Sequence, residues 1–206
     1  TGLERGIGDG RILLVGHDAF PSGAQTLLLA IGKQLRARHG TQILFVLLEG
    51  GAMLEDYRSF AQVEILPPGQ KATRERLAVL SREGFTTALV NSAASSALAP
   101  DLHDVGIAFT LLQHELPSLL RQRGLLAPLK EARALARETI VPSVVLTPTL
   151  TSEATPIILP QGLYSPIAFS AQTRRQMRAR LGLNAHDRLV VGVGYADMRK
   201  GFDLFL

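Results

Sequence analysis

Arg11-Ile12-Leu13-Leu14-Val15-Gly16-His17-Asp18-Ala19-Phe20-Pro21-Ser22-Gly23-Ala24 decides how the rest of the sequence is read. Arg11 to Gly16 is a short, nearly continuous apolar run, the pattern of a strand buried on both faces. Ala24 to Arg38 then repeats apolar residues at helical spacing (Leu27, Leu28, Ile31, Leu35), and Gly40 supplies a stop. A second buried strand follows at Gln42 to Leu48. Strand, helix and strand in this order make a parallel βαβ unit.

The same alternation continues along the chain. Val63 to Leu66 reads as a third strand, ended by Pro67-Pro68-Gly69, and Lys71 to Glu83 as an amphipathic helix closed by Gly84. Thr86 to Asn91 and Gly106 to Leu112 read as strands separated by a weaker helix, Ala93 to Leu102. Pro117 to Glu138 is helical, with breaks expected near Gly124 and Pro128; Val144 to Thr147 and Pro156 to Pro160 read as strands. Buried strands alternating with helices predict an α/β fold: a doubly wound parallel sheet, Rossmann-like, with helices on both faces. Residues 1–10 form a tail and 11–165 the Rossmann-like domain. Over 166–206, a basic helix at Ala171 to Leu181 and a strand at Arg188 to Gly194 read as a linker and the opening of a second, truncated domain, because so short a tract cannot build its own core.

Composition limits the function classes. In 206 residues, 46% are apolar and 19% charged, so the chain buries enough surface to order itself. No apolar run is long enough to span a bilayer, and the first ten residues do not read as a signal peptide. With no cysteine there is neither a disulfide framework nor a thiolate metal site, which suits a cytoplasmic protein. The net charge of +4 favours anionic ligands and is too small to argue for nucleic acid; 5% aromatics also disfavours a base-stacking surface.

Ligands of open α/β sheets bind beyond the carboxyl ends of the strands. After the first strand stand His17, Asp18, Ser22 and Gly23, where a glycine before a helix lets N–H groups approach an anion. The loop fits neither G-x-G-x-x-G nor the P-loop pattern, and a plain helix cap at Ser22 remains an alternative. Asn91 closes a second strand, and Gln113-His114-Glu115-Leu116-Pro117 follows a third, placing His114 to exchange hydrogen bonds with a ligand near neutral pH. Arg199-Lys200-Gly201, after Gly192-Val193-Gly194-Tyr195, reads as a diphosphate clamp at a helix start or as an ordinary basic turn. No histidine pair has zinc-site spacing. The Arg174 to Arg180 helix is a solvated face or a contact for an anionic membrane surface.

Together, Gly16-His17-Asp18 with Pro21-Ser22-Gly23-Ala24, Gln113-His114-Glu115-Leu116-Pro117, Ile158-Leu159-Pro160-Gln161-Gly162-Leu163-Tyr164 and Val191-Gly192-Val193-Gly194-Tyr195 through Arg199-Lys200-Gly201-Phe202-Asp203 resemble glycosyltransferase family 4, retaining enzymes of the GT-B fold. The resemblance covers most of Arg11 to Leu206. It implies two Rossmann-like domains facing across a cleft, this chain being the N-terminal, acceptor-side one and the start of the nucleotide-sugar-binding one. It further implies a nucleotide-sugar donor as substrate and a glycan or lipid-linked acceptor, in polysaccharide or glycoconjugate synthesis. Gly23, Arg199 and Lys200 would hold the donor diphosphate and His114 would act at the transferred sugar. His17, Asp18, Ser22, Asn91 and Glu115 would line the acceptor side of the cleft. With Lys, Arg and a helix N-terminus to meet the leaving diphosphate, no metal or other cofactor is expected. The location implied is cytoplasmic, with peripheral contact at the inner membrane face.

Two departures stand out. Tyr195 occupies a position where many members carry Arg, for which Arg199 would compensate, and a short Thr149 to Thr155 piece replaces a helix. The family's acidic pair, Glu-x7-Glu, would lie beyond Leu206. Two other readings compete: a non-catalytic flavodoxin-like binding or signalling module, and a GT-B-fold nucleotide-sugar epimerase. A phospho-acceptor receiver needs paired acids after the first strand, and Asp18 stands alone there.

Overall fold

The computed structural model describes residues 10–149, 155–162 and 168–193. Its contacts divide the chain into two units, 1–164 and 165–206.

The first unit is built on one parallel sheet. In chain order its elements are β1 (Arg11–Gly16), α1 (Gly23–His39), β2 (Gln42–Leu47), α2 (Leu54–Phe60), β3 (Gln62–Ile65), α3 (Lys71–Arg82) and β4 (Thr87–Asn91). A 3-10 turn at Ala93–Leu98 runs into α4 (Ala99–Asp104), followed by β5 (Ala108–Leu112), α5 (Pro117–Gln122), α6 (Leu126–Leu135) and β6 (Glu138–Val141). A second 3-10 turn (Val144–Thr149) precedes β7 (Ile157–Ile158). The seven strands lie in the order β3-β2-β1-β4-β5-β6-β7, and every pairing is parallel. This is the doubly wound α/β fold that the strand–helix alternation predicts.

Two apolar layers sandwich the sheet. On one side Ile12, Leu14, Ile43, Phe45 and Leu47 pack against Leu28, Leu29 and Tyr57 from α1 and α2. On the other, Leu13, Val15, Leu44, Val46, Val90, Phe109 and Leu111 pack against α3, α4, α5 and α6 through Leu77, Leu80, Leu102, Leu120 and Leu129. Alternate residues of one strand serve opposite layers, so β1 must be apolar throughout; Leu13, Leu14 and Val15 have no exposed surface.

Several boundaries differ from the sequence reading. The tract 117–138 is two helices broken at Gly124, whose φ of +66° suits glycine. Pro128 does not break α6, since it falls in the first turn where a missing N–H costs nothing. Residues Glu138–Val141, of which only Glu138 is assigned by the sequence reading, as a helix end, are strand β6, which Pro142 stops by withholding a donor. Val144 to Thr147 is therefore a 3-10 turn rather than a strand: Leu146 N–H donates to Ser143 O (3.1 Å), Leu146 is buried, and Val144 and Val145 face solvent. The predicted helix over Ala93 to Leu102 is instead a 3-10 turn leading into α4, with Pro100 in the first turn of that helix. Helix α2 lacks a legible apolar period; Tyr57 is its one fully buried residue.

In the second unit, α7 (Ala171–Arg180) is capped by Ser170, whose Oγ accepts from Thr173 N–H at 3.1 Å. The predicted strand over Arg188 to Gly194 is not formed across 188–193. Those residues make no ladder, and Val190 and Val193 are 77% and 91% exposed. An apolar run becomes a strand only with a pairing partner, and none is present among the described residues. Gly194 lies outside them.

The loops at the carboxyl ends of β1 and β2 are zipped together. Leu48 N–H donates to Gly16 O (3.1 Å), Glu49 N–H to His17 O (3.0 Å) and Met53 N–H to Ala19 O (2.7 Å). Gly51 permits this approach: a Cβ there would sit 2.5 Å from the Ala19 carbonyl carbon, against backbone that cannot yield. Gly51→Ala is expected to destabilise the domain by about 1–3 kcal/mol in a denaturant titration. The neighbouring Gly50→Ala, whose methyl meets only Ile65 at 3.7 Å, should stay within about 0.5 kcal/mol of wild type.

Candidate functional site

Strand β1 has β2 on one side and β4 on the other; the chain leaves β1 toward β2 and leaves β4 toward β5, so the loops after these two adjacent strands part at their carboxyl ends. A crevice opens at such a reversal. His17 follows β1, Asn91 closes β4 and His114 follows β5, so the three stand along one edge of the sheet, and Gly23 opens the helix leaving that edge.

The first turn of α1 is organised by a residue the sequence reading passes over. Gln25, 3% exposed, accepts the Ser22 hydroxyl on Oε1 and donates from Nε2 to Asp18 Oδ1. The same nitrogen lies 3.1 Å from His17 Nε2. Asp18 as a carboxylate only accepts, so the amide must turn its NH2 toward it; His17 Nε2 also lies 3.5 Å from Asp18 Oδ2. Asp18 Oδ1 also takes Phe20 N–H at 2.9 Å, which bends the loop back on itself. Tyr57 anchors the turn from below, its hydroxyl donating to Gln25 O at 2.8 Å; burial, and secondarily the charge of Asp18, push that phenol well above the usual range. Ser22 is the N-cap by position, but its hydroxyl goes to Gln25 rather than to a helix N–H. A Cβ placed on Gly23 would meet nothing within 4 Å, so the space over this helix start is open.

The second half of the site joins the ends of β4 and β5. Asn91 is buried and donates from Nδ2 to Ala24 O (2.9 Å), tying β4 to α1; its Oδ1 has no partner. Glu115 receives three donors: Ser92 Oγ at 2.5 Å on Oε1, with Ala93 N–H at 3.1 Å and His114 N–H at 3.2 Å on Oε2. The side chain of Gln113 is wholly buried without a hydrogen bond on either end.

His114 differs from these neighbours in its side-chain bonding. Both ring nitrogens are shielded from solvent and neither is hydrogen-bonded; Glu115 Oε1 lies 3.6 Å from Nε2. Burial pushes its pKa below the ordinary imidazole range, Glu115 pulls it up, and the neighbouring His17 lowers it again. A neutral imidazole with two unused nitrogens beyond the end of β5 can give one hydrogen bond and accept another. Sequence reasoning had a signal for Gln25 as well: it starts the stripe Gln25, Leu28, Leu29, Gly32 that α1 buries, and an amide on a buried stripe needs partners. Ser92 gave no such signal, since its role depends on a carboxylate 23 residues away.

The structure thus brings His17, Asp18, Ser22, Asn91, His114 and Glu115 to one sheet edge, with Gly23 at the helix start. Arg199 and Lys200 lie outside the described residues. Among the described residues, no group of three or more His, Asp or Glu side chains is placed to hold a metal ion, and no helix is long and apolar enough to cross a membrane.

This Rossmann-like unit has the architecture found in GT-B glycosyltransferases. No family model matches the chain, and no curated protein does. Among solved structures, Phytolacca americana UGT2 complexed with UDP-2fluoro-glucose and pterostilbene is similar at a TM-score of 0.53, with 13% identity over 81% of this chain and 56% of that one. Its apo form matches at 0.53, with 14% identity over 82% of this chain and 54% of that one. The chain therefore spans about half the length of either, and the likeness is one of fold.

Because the folded state resists protonation of His114, stability is complete above the ordinary imidazole value of 6.5 and falls as pH drops from there to the lower folded value. In that interval the unfolded chain binds a proton that the folded chain refuses. Urea midpoints measured between pH 7.5 and 4.5 should show this fall, and His114→Asn should flatten the part of the slope below 6.5.

Proposed function

We propose that this chain is the acceptor-side domain, with the start of the donor-side domain, of a retaining glycosyltransferase resembling family 4. It would move a sugar from a nucleotide-sugar donor to a glycan or lipid-linked acceptor. The observation that carries the reading is His114: a buried imidazole with neither nitrogen partnered, beyond the carboxyl end of β5, one strand from the reversal between β1 and β4 and on the same sheet edge as the open start of α1. The fold and the motif resemblance support the same assignment.

In this reaction the bond from the anomeric carbon to the diphosphate oxygen breaks, leaving positive charge on the sugar and negative charge on the diphosphate. Groups fixed at those two places lower the barrier most. The proposal sets His114 at the sugar. Backbone N–H groups at Gly23, with the dipole of α1, meet the diphosphate together with Arg199 and Lys200, and no metal is required. His17, Asp18, Ser22, Asn91 and Glu115 shape the acceptor side, Asn91 and Glu115 by holding the loops. A lipid-linked acceptor would bring the protein to an anionic membrane surface on the cytoplasmic side, where the exposed arginines of α7 (Arg174, Arg175, Arg180) would make contact, Arg178 being half-buried and bonded to Asn184 O and Asp187 O.

Transfer should be assayed with the full reading frame and a panel of UDP- and GDP-sugars. Lys200→Ala is expected to lower kcat about 10²–10³-fold, while the loss from His114→Ala should vary with the donated sugar. Turnover of Lys200→Ala within about threefold of wild type across the panel would remove the diphosphate role. Gly23→Ala offers a separate check, because its methyl disturbs no protein atom. The melting temperature should hold while donor binding weakens.

The membrane contact has its own test. Binding to phosphatidylglycerol vesicles, absent with phosphatidylcholine and lost at high salt, should fall when Arg174, Arg175 and Arg180 become Ser together.

A further inference from the structure

The residue beside His114 has a different task from facing a ligand. Glu115 reaches across from the end of β5 to the end of β4, and both its oxygens are used: Oε1 by Ser92 Oγ at 2.5 Å, Oε2 by Ala93 N–H at 3.1 Å and His114 N–H at 3.2 Å. Its side chain is only 10% exposed. What it holds is strained. Ser92, at φ 80° and ψ 146°, is the only non-glycine residue with positive φ among the described residues, in a region that side chains other than glycine avoid. Such a conformation persists only where the surroundings over-determine it. Here Ser92 N–H donates to Leu112 O (2.8 Å), its Oγ accepts from Ala94 N–H (3.1 Å), and the Glu115 carboxylate closes the ring of contacts.

His114 has no ring hydrogen bond to orient it. Its backbone N–H, bonded to Glu115, is the restraint that is present. We propose that Glu115 is a positioning residue, whose carboxylate latches the strained turn after β4 to the loop after β5 and so sets the His114 imidazole in the crevice. Its importance for sugar transfer rests on the reading of His114 given above; the latch itself does not.

The hydrogen-bond geometry makes the two obvious variants differ. In Glu115→Gln the amide oxygen can keep both backbone N–H groups while its NH2 donates to Ser92 Oγ, so the latch survives and only the charge is lost. Glu115→Ala loses both. The charges acting on His114 are Glu115, which favours the imidazolium, and His17, which opposes it, while burial opposes it most.

The experiment is ligand-free NMR of histidine-labelled protein, combined with hydrogen exchange of backbone amides; it needs no sugar donor, so its failure is distinct from that of a transfer assay. Glu115→Gln should lower the His114 pKa below wild type, with the Ala93 and His114 amides exchanging within about threefold of wild type. Glu115→Ala should move that pKa the opposite way, toward 6.5, as the freed ring meets water, and the two amides should exchange at least about tenfold faster. Both variants lowering the pKa alike, with exchange unchanged, would reduce Glu115 to a nearby charge and overturn the proposal. If Glu115→Ala does not fold, Ser92→Ala decides. Removing one arm of the latch should speed exchange at Ala93 and raise the His114 pKa by a smaller amount, and no change in either sinks the idea.

Discussion

Strand β1 is hydrogen-bonded in parallel to β2 on one side and to β4 on the other, and the rest of the molecule follows from that double pairing. Parallel neighbours need long crossovers, and from β1 to β6 each of these contains an α-helix. The crossovers from β1 through β2 to β3 run one way across the sheet and those from β3 to β4 and onward run the other, which puts α1 and α2 on one face and α3 to α6 on the other. With both faces covered, β1 can carry no polar side chain between Arg11 and Gly16. Its polar residues therefore begin where the sheet stops, at His17.

That edge is where backbone groups lose their ladder partners, and the protein answers with side chains. Around α1, Gln25 gathers Ser22, Asp18 and His17. Between β4 and β5, Glu115 gathers Ser92, Ala93 and His114. Both hubs are largely buried, where a satisfied polar group rigidifies and an unsatisfied one is expensive. Against this background the unpaired nitrogens of His114 stand out. At this sheet edge the loops are bonded to one another, while the His114 ring keeps two nitrogens without partners.

Most of the fold was legible in the residues. Continuous apolar runs such as Arg11 to Gly16 and Gly106 to Leu112 have one stable use, and the amphipathic period of Lys71 to Glu83 has another. The structure departs from the residue pattern where an apolar tetrapeptide decides nothing alone. Val144 to Thr147 has better strand composition than Glu138–Val141, yet the latter pairs with β5, because Arg137 N–H bonds Phe109 O and Pro142 then ends the ladder. Residues 188–193 show the same dependence from the other side: strand composition without a partner gives no strand.

For the site, sequence by itself determined which residue types stand just beyond the strand ends, since chain position and apolar run length fix where a strand stops. His17, Asn91 and His114 follow from that. Only the tertiary structure decided which of them meet, which are spent on holding loops, and which keep free nitrogens. Asn91 is tied to Ala24, and Glu115 to residues 92 and 93. These are contacts between segments dozens of positions apart whose proximity comes from strand order, and strand order is a property of the packed sheet rather than of any stretch within it.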